Sequence, residues 1–563
     1  MEINGSQMII EALHKEGVKV VFGYPGGAML NVYDEIYKQK YFEHILTRHE
    51  QAAVHAADGY ARASGKVGVA FVTSGPGFTN AVTGLATAYM DSTPIVLISA
   101  NVAISLIGTD AFQEIDAVGI SRPCVKHNYL VKNIEELPRI LKEAFYIAST
   151  GRPGPVHVDV PKDITASIGK FIYPDEITMQ TYKPTYKGNS RQIKKAVEAI
   201  SAAKRPLFYL GGGIISANAS DIVQRFIKFT GIPAVETLMA RGVLEHDNPL
   251  LLGMVGMHGS YTANMAMSEA DLIIALGTRF DDRVTGKLSE FAKNAKIIHV
   301  DIDPSSIGKI VDVDFPIVGS VTNVVEAMFE ISDERINAAK YTQWRDTLKN
   351  YTDIHPLRYN DSDTVLKPQW VIEYVGKTLG ENAVITTDVG QHQLWTAQFY
   401  PFTRARQLVT SGGLGTMGFG LPAAMGAKKA FPDKISINFV GDGSILMNIQ
   451  ELMTAVVSNI PVVNIILNNR FLGMVRQWQT FFYGKRYSST DLDIQPDFVK
   501  LAESFGGVGF KVKTKEEFKK ALDKAVKSNK IALIDVEIDR MENVLPMVPT
   551  GGSLYNMILE YKD

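Results

Sequence analysis

The chain has 563 residues, 46% of them hydrophobic and 21% charged, with a formal net charge of −2. That length is several times what one hydrophobic core serves, so three or four domains are expected. The near-neutral balance without a long basic run excludes a general nucleic-acid or membrane-surface role, and no stretch reaches the ~18 apolar residues of a membrane span. The N-terminal segment has helical spacing interrupted by acids, unlike a signal peptide. The single cysteine, Cys124, excludes an intrachain disulfide and reads as a structural thiol. A cytoplasmic protein is expected.

Residues 1–172 alternate helical and strand patterns. A helix over 6–17 leads into the strand VKVVFG, followed by Gly26-Gly27. HILTRHE, an alanine-rich helix over 51–64, VGVAFVTSG, PIVLISA and PVHVDVP then follow. A polar, proline-containing stretch over 173–192 predicts a linker. A second α/β unit over 193–340 carries the strands PLFYLGGG, DLIIALG and KIIHVDID. A third over 369–545 carries AVITTDVG, QLVTSGG, ISINFVGDGS, VVNIILNN and ALIDVEI. The expected fold class is α/β, with three doubly wound parallel-sheet domains. The tail over 546–563 reads as a lid or as a plain surface segment.

The densest signal is Ile435–Trp478. A β-rich run breaks at Gly441-Asp442-Gly443-Ser444, a helix is expected over 447–458, and a second β-rich run, Val462–Leu467, ends at Asn468-Asn469. A βαβ unit in a parallel sheet sets those two polar clusters side by side, where open α/β sheets bind ligands. Asp442 and Asn469 offer hard oxygen ligands suited to a Mg²⁺ bridging to phosphate. Two ordinary strand-end turns would use the same residue types.

Glu50 opens the helix after RHE. It serves either as a carboxylate favoured by the helix dipole or as a buried group that holds or moves a proton. Gly413–Gly418 matches the G-x-G-x-x-G of a dinucleotide turn. Gly211-Gly212-Gly213 after PLFYL is a further cofactor-turn candidate, and Arg279–Arg283 (RFDDR) is an anion clamp or a solvated loop. Neither a zinc motif nor a G-x-S-x-G elbow is present.

Taken together, FGYPGGA, RHEQAA, VTSGPGFTN, GRPGPVHVDVPKD, RFDDRVTGK, TDVGQHQ, GLGTMGFGLPAA, GDGS, LNN and GMVRQWQ resemble, over nearly the whole chain, the large catalytic subunits of acetohydroxyacid (acetolactate) synthases. These are thiamine-diphosphate enzymes of branched-chain amino-acid biosynthesis. The resemblance implies decarboxylation of pyruvate and ligation of the two-carbon unit to a second 2-keto acid, pyruvate or 2-ketobutyrate. It implies that Asp442, Asn469 and the Phe471 carbonyl hold Mg²⁺. Gly26, Gly27, Val389, Gln391, His392 and Gly415 would hold thiamine diphosphate, with Gly443, Ser444 and Met474. Met417 would sit beneath the folded cofactor, and Glu50 would hydrogen-bond its aminopyrimidine.

The same resemblance assigns Arg283 to the acceptor carboxylate and Trp478 to its alkyl group, with Phe112, Gln113 and Lys162 along the approach. It implies a structural FAD on Arg152, on Gly211 and Gly212, and on Thr237, Leu238 and Met239. Met257, Gly277, Arg279, Asp301 and Ile302 complete that set. A homodimer or tetramer with interface active sites and a separate small regulatory subunit are further implications.

Three departures from the family pattern stand out. Ser99-Ala100-Asn101-Val102-Ala103 replaces the usual S/T-G-Q-V-P near the substrate channel, bearing on acceptor preference. Ser320 stands where an FAD-side aspartate is common, and Thr278 replaces an alanine beside Arg279. The competing functions are an FAD-dependent pyruvate oxidase and a non-catalytic paralogue. RFDDRVTGK with Trp478 argues against the first, and intact Glu50, Asp442 and Asn469 against the second.

Overall fold

A computed structural model describes residues 1–332, 336 and 338–561. The predicted second domain and tail include residues 333–335, 337, 562 and 563, which lie outside the described residues. The chain forms two compact units. One comprises Met1–Tyr182, Asn382–His392 and Val409–Arg540; the other comprises Lys183–Glu381, Gln393–Leu408 and Met541–Asp563. The fold is α/β with three six-stranded sheets, as the alternating patterns imply.

The first unit holds two of the sheets. The N-terminal one runs Glu43–Leu46, Val20–Gly23, Gly68–Val72, Ile95–Asn101, Val156–Pro161, His127–Leu130, every pair parallel. The second contains, in spatial order, Ala383–Thr387, Ile435–Gly441, Val463–Asn468, Ala532–Glu537 and Val508–Val512, again parallel. Central strands such as Gly68–Val72 and Val463–Asn468 are buried throughout. This is why they read as continuous apolar runs rather than alternations.

The predicted helix over 6–17 is observed as Gly5–Lys15. It starts where Asn4 and Gln7 form a capping box, and stops before Gly17, whose φ is +70°. The helix expected over 447–458 divides into a 3₁₀ turn, Ile445–Asn448, and a helix, Glu451–Val457.

Two small-residue helices join the halves of this unit. Glu50–Ser64 crosses Gly420–Ala430 with backbone against backbone. A Cβ on Gly59 would lie 2.2 Å from the Ala423 carbonyl oxygen, and one on Gly426 would lie 1.9 Å from that of Ala56. Beside this crossing Arg62 pairs with Asp58, reaches Asp91 at 3.0 Å and donates to the Thr410 carbonyl at 2.9 Å. Three distant segments thereby share one buried ion cluster.

The second unit has one parallel sheet, ordered Leu251–Met254, Ala234–Glu236, Pro206–Leu210, Leu272–Leu276, Lys296–Asp301, Phe315–Val318. The chain winds outward in one direction from Pro206–Leu210 and in the other from Leu272–Leu276. The switch point lies between those two strands. No helix among the described residues is long and apolar enough to cross a membrane.

The helix crossing yields a test. Gly426→Ala forces the two backbones apart and is expected to cost about 1–3 kcal/mol. The comparison is urea unfolding against Ala427→Gly, which removes packing without crowding. Equal midpoints for Gly426→Ala and the unaltered chain would show that the close approach carries no weight.

Candidate cofactor and active site

Three neighbouring strands of the first unit bring the predicted cradle together. Ile435–Gly441 lies between Ala383–Thr387 and Val463–Asn468, with Gly441 in register with Leu467. The turns bearing Gln391, Asp442 and Asn469 therefore leave the sheet along one edge. Asp442 is buried, and burial pushes its carboxyl up to about 7. Its neighbour Gln495 donates to Oδ2 and is itself fixed by Asn468 at 2.9 Å. The Asn469 amide nitrogen donates to Gln391 Oε1 at 3.1 Å, while its Oδ1 accepts the Phe471 N–H at 3.1 Å. One lone pair of Oδ1 stays available. Gln391 in turn donates to Gln477, on the helix Gly473–Phe482, at 2.8 Å.

This donor set suits Mg²⁺ held together with phosphate oxygens. It offers one carboxylate, one amide oxygen and a turn carbonyl, too few for an all-protein cage. Among the described residues no group of three or more His, Cys, Asp or Glu could hold a metal ion by itself. A divalent cation at Asp442 would also offset the desolvation that now favours its protonated form. His392 is buried and kept neutral, its pKa lowered by burial to about 3. Its ring lies 3.1 Å from where a Gly441 Cβ would be, so the glycine gives the strand end room.

The loop 412–418 is pinned at both ends. Asp91 accepts the N–H groups of Gly412 and Gly413 at 2.9 and 2.7 Å. Asp388 accepts those of Gly418 and Gly420 at 2.8 and 3.1 Å. Thr416 meets Thr87 at 2.7 Å, and Asn448 donates to the Gly418 carbonyl at 2.7 Å. Gly415 and Gly418 have φ of +69° and +86°, so this tight path needs glycine at both positions. Met417 is held, half-buried, between them. The dinucleotide reading of Gly413–Gly418 fails here for a physical reason. The amides of Gly418 and Gly420, at the end of the glycine turn and the start of the helix Gly420–Ala430, already donate to the Asp388 carboxylate, where a dinucleotide turn would offer them to a pyrophosphate.

Glu50 is buried at the first turn of its helix, 9% exposed. Asn80 donates to its Oε2 at 3.0 Å. A Cβ on Gly77 would lie 3.5 Å from Oε1, and Thr73 beside it has a buried hydroxyl with no partner. The backbone of Gln113, at φ +60°, lies against Gly75 at the head of the same Asn80-bearing helix. Phe112 next to it is 88% exposed. Lys162 is exposed at the end of the strand Val156–Pro161. Among the described residues no hydrogen bond joins Lys162 or Gln113 to Glu50. Trp478 packs edge-on against Phe482 at 5.8 Å.

The departure at 99–101 lies in a buried polar network. Asp159 accepts from Ser99 Oγ and Asn101 Nδ2, both at 2.6 Å. His157 meets Ser99 at 2.7 Å and Ser121 at 3.0 Å. The Asn101 side-chain oxygen, Oδ1, accepts the Val102 N–H. Asparagine here is thus locked inward. Burial pushes Asp159 up to about 7 and holds His157 down at about 3.

In the second unit the predicted FAD residues sit at the carboxyl ends of the parallel strands. Gly211 and Gly277 flank the switch point, where the Gly211 N–H donates to the Leu276 carbonyl at 3.0 Å. A Cβ on Gly211 would fall 2.1 Å from the Gly277 oxygen. Gly212 has Met239 beside it. Thr237 and Leu238 leave the strand Ala234–Glu236, and Asp301 and Ile302 end Lys296–Asp301. The hydroxyls of Thr237 and Thr278 and the Nδ1 of His299 are buried and have no partner. Three unsatisfied groups around a glycine-lined switch point fit a polar, elongated cofactor such as FAD. Arg283, 57% exposed, approaches Met257 Sδ at 3.9 Å, and Arg279 faces Asp281 at 3.5 Å. Arg152 belongs to the first unit, where it donates to Ser92 at 2.8 Å. Ser320 directly precedes the helix Val321–Ile331.

Known proteins match this chain along most of its length. The N-terminal, central and C-terminal domain models of the thiamine pyrophosphate enzymes match residues 3–120, 193–328 and 388–536. Fold and site thus define a thiamine-diphosphate enzyme. The chain is 49% identical to the acetolactate synthase large subunit of Buchnera aphidicola subsp. Schizaphis graminum, covering 100% of both chains. It is 48% identical to that of Haemophilus influenzae, over 99% of this chain and 98% of the relative. Identity to the acetolactate synthase isozyme 3 large subunit of Escherichia coli K12 is 47%, with the same coverage. The chain belongs to the family of acetolactate synthase large subunits.

Asn80, Asp388 and Gln477 lie inside VTSGPGFTN, TDVGQHQ and GMVRQWQ but drew no role of their own from the sequence, and Asp91 and Gln495 lie in none of the recognised stretches. Each acts on a loop or side chain distant in sequence.

Two measurements test the geometry. A Cβ at Gly473 would lie 2.2 Å from Gln391 Oε1 and 2.7 Å from Asn469 Nδ2. Gly473→Ala is therefore expected to weaken Mg²⁺-dependent thiamine diphosphate binding about tenfold in calorimetry, with the thermal midpoint nearly unchanged. Unchanged affinity would detach Gln391 and Asn469 from the cradle. Secondly, Asp159 has a raised folded pKa of about 7. Its contribution to stability is then full below the ordinary carboxylate range and lost as pH rises through about 7. Asp159→Asn should narrow the difference in thermal midpoint between pH 5.5 and pH 8; an unchanged difference would refute the burial argument.

Proposed function

We propose that this chain decarboxylates pyruvate and ligates the resulting two-carbon unit to a second 2-keto acid, as the first common step of branched-chain amino-acid biosynthesis. Pyruvate as acceptor gives 2-acetolactate, and 2-ketobutyrate gives 2-aceto-2-hydroxybutyrate. The observation that carries the reading is the convergence of Asp442, Asn469 and Gln391 on one sheet edge, in a chain that also buries Glu50 at a helix start.

Asp442, Asn469 and the Phe471 carbonyl would hold Mg²⁺, and through it the diphosphate. Gln391, His392, Gly443 and Ser444 would complete the cradle, with Val389, Gly415 and Met474 around it. Thiamine diphosphate, when bound, supplies a nucleophilic carbon and an electron sink for loss of CO₂ from a 2-keto acid. Glu50 holds a proton at the aminopyrimidine nitrogen through the oxygen that Asn80 leaves uncommitted. The pinned loop 412–418 holds Met417 where it would support the bound cofactor, and Gly26 and Gly27 would leave room for it. Arg283 pairs with the acceptor carboxylate, Trp478 forms an apolar wall for its alkyl group, and Phe112, Gln113 and Lys162 guide entry. FAD would rest on the switch-point residues of the second unit together with Arg152, in a structural role.

Three domains, 1–172, 193–340 and 369–545, would divide this work. The active assembly is a homodimer or tetramer in which Glu50 and Asp442 of one site come from different chains. Exposed apolar residues support that arrangement. Tyr24 and Leu30 flank Gly26-Gly27, Leu446 and Met447 follow Ser444, and Val475 follows Met474. A small regulatory subunit, suggested by the relatives' names, and a cytoplasmic setting complete the proposal.

Purification followed by cofactor extraction and a pyruvate/2-ketobutyrate competition assay tests it. Bound FAD and both acetohydroxyacids are expected; oxygen uptake without either product would refute the reading. Glu50→Gln should lower the turnover rate by about 10²-fold, the scale of a positioned proton-transfer group.

A further inference from the structure

Glu451 is the first residue of the helix that follows the Gly441–Ser444 turn, and its side chain is fully buried. A glutamate at a helix start ordinarily caps its own helix or faces water. This one turns away, to backbone about 400 residues earlier. Its oxygens accept the Arg48 N–H at 3.0 and 3.2 Å and the His49 N–H as well. Thr454 Oγ1 fixes Oε2 at 2.7 Å. Arg48 sends its own guanidinium to the Leu46 carbonyl at 2.7 Å, so it does not neutralise Glu451 by direct pairing.

The two amides are the last before Glu50. The strand Glu43–Leu46 has ended, and it is an edge strand. The helix begins only at Glu50, with His49 as its N-cap. Neither sheet nor helix can therefore satisfy these donors, and both are held by a single carboxylate. Burial pushes that carboxyl up to about 7, a desolvation cost that its hydrogen bonds partly offset. A carboxylate kept in such a place fixes the path of the chain from Thr47 into Glu50. On the opposite side the Thr47 N–H is tied to the Gly23 carbonyl at 3.2 Å.

We propose that Glu451 is a positioning residue for Glu50. By holding the Arg48 and His49 amides it sets the direction in which the Glu50 carboxylate leaves the backbone, and with Asn80 it presents Oε1 for proton transfer. This rests on the role assigned to Glu50 above. Glu451 touches no reacting atom and acts only through the 48–50 turn.

The test uses the holoenzyme and two readouts. One is the rate at which the cofactor's C2 hydrogen exchanges for deuterium before any substrate is added. The other is amide exchange of the peptide spanning residues 47–51. Glu451→Gln should speed exchange of the Arg48 and His49 amides and slow C2 exchange by about tenfold or more, since small displacements of a catalytic group have effects of that size. Thiamine diphosphate affinity should stay within about threefold. In the double variant with Glu50→Gln, C2 exchange should be no slower than in Glu50→Gln alone, because both changes act through one group. Faster amide exchange with unaltered C2 exchange would overturn the proposal, as would additive losses in the double variant. If Glu451→Gln does not fold, Thr454→Val leaves the carboxylate and loosens only Oε2. It should give a smaller loss of the same kind, and wild-type C2 exchange in it would likewise overturn the proposal. Normal C2 exchange in Glu50→Gln would instead refute the role of Glu50 itself.

Discussion

A parallel sheet sends the carboxyl ends of all its strands to one edge, and the candidate site depends on that constraint. Asp442 and Asn469 lie 27 positions apart, yet the register of Gly441 with Leu467 makes their turns neighbours. The adjacent strand Ala383–Thr387 adds Gln391 to the same edge. The second unit repeats the device with different turn chemistry, placing Gly211 and Gly277 at its switch point. Polar groups inside the strands, such as Asn438 and Asn464, are buried and bonded to each other, so the groups left for a ligand gather at these edges.

Buried carboxylates that accept backbone N–H groups hold the turns in shape. Asp91 takes Gly412 and Gly413, Asp388 takes Gly418 and Gly420, and Glu451 takes Arg48 and His49. Leaving one such donor unsatisfied inside a protein costs about 1–3 kcal/mol. Each pair is therefore a strong local constraint, although a buried carboxylate gains little net stability because of its own desolvation. Burial raises Asp388 to about 6 and Glu451 to about 7. These groups trade solvation for geometry, and the geometry they fix includes the loop carrying Met417 and the turn leading into Glu50.

The fold class and the cradle were legible in the chain. Continuous apolar runs ending in Gly-Asp-Gly-Ser and Asn-Asn declare strands of a parallel sheet and what lies beyond them. The first two predicted helix starts were legible to within a residue, 6 against Gly5 and 51 against Glu50. The division of the helix after Ser444 was not legible, since Ile445–Val457 keeps helical spacing across the break. The roles of Asp388, Asn80 and Glu451 were not legible for another reason. Their partners are backbone amides or side chains far away in sequence, and an amide hydrogen bond leaves no residue-type signature at the receiving end. The dinucleotide-like Gly413–Gly418 shows the converse: the pattern is present, and a carboxylate from another strand occupies the amides that would have given it meaning.

In the proposed assembly, Glu50 and the Asp442–Asn469 cradle serve one cofactor from different chains. Complementation between Glu50→Gln and Asp442→Ala chains, co-expressed in equal amounts, tests it directly. Each variant alone should be nearly inactive. Mixed dimers would regain one intact site, giving about a quarter of the unaltered activity under random pairing. A mixture no more active than its two components would contradict the claim and return both residues to a single chain.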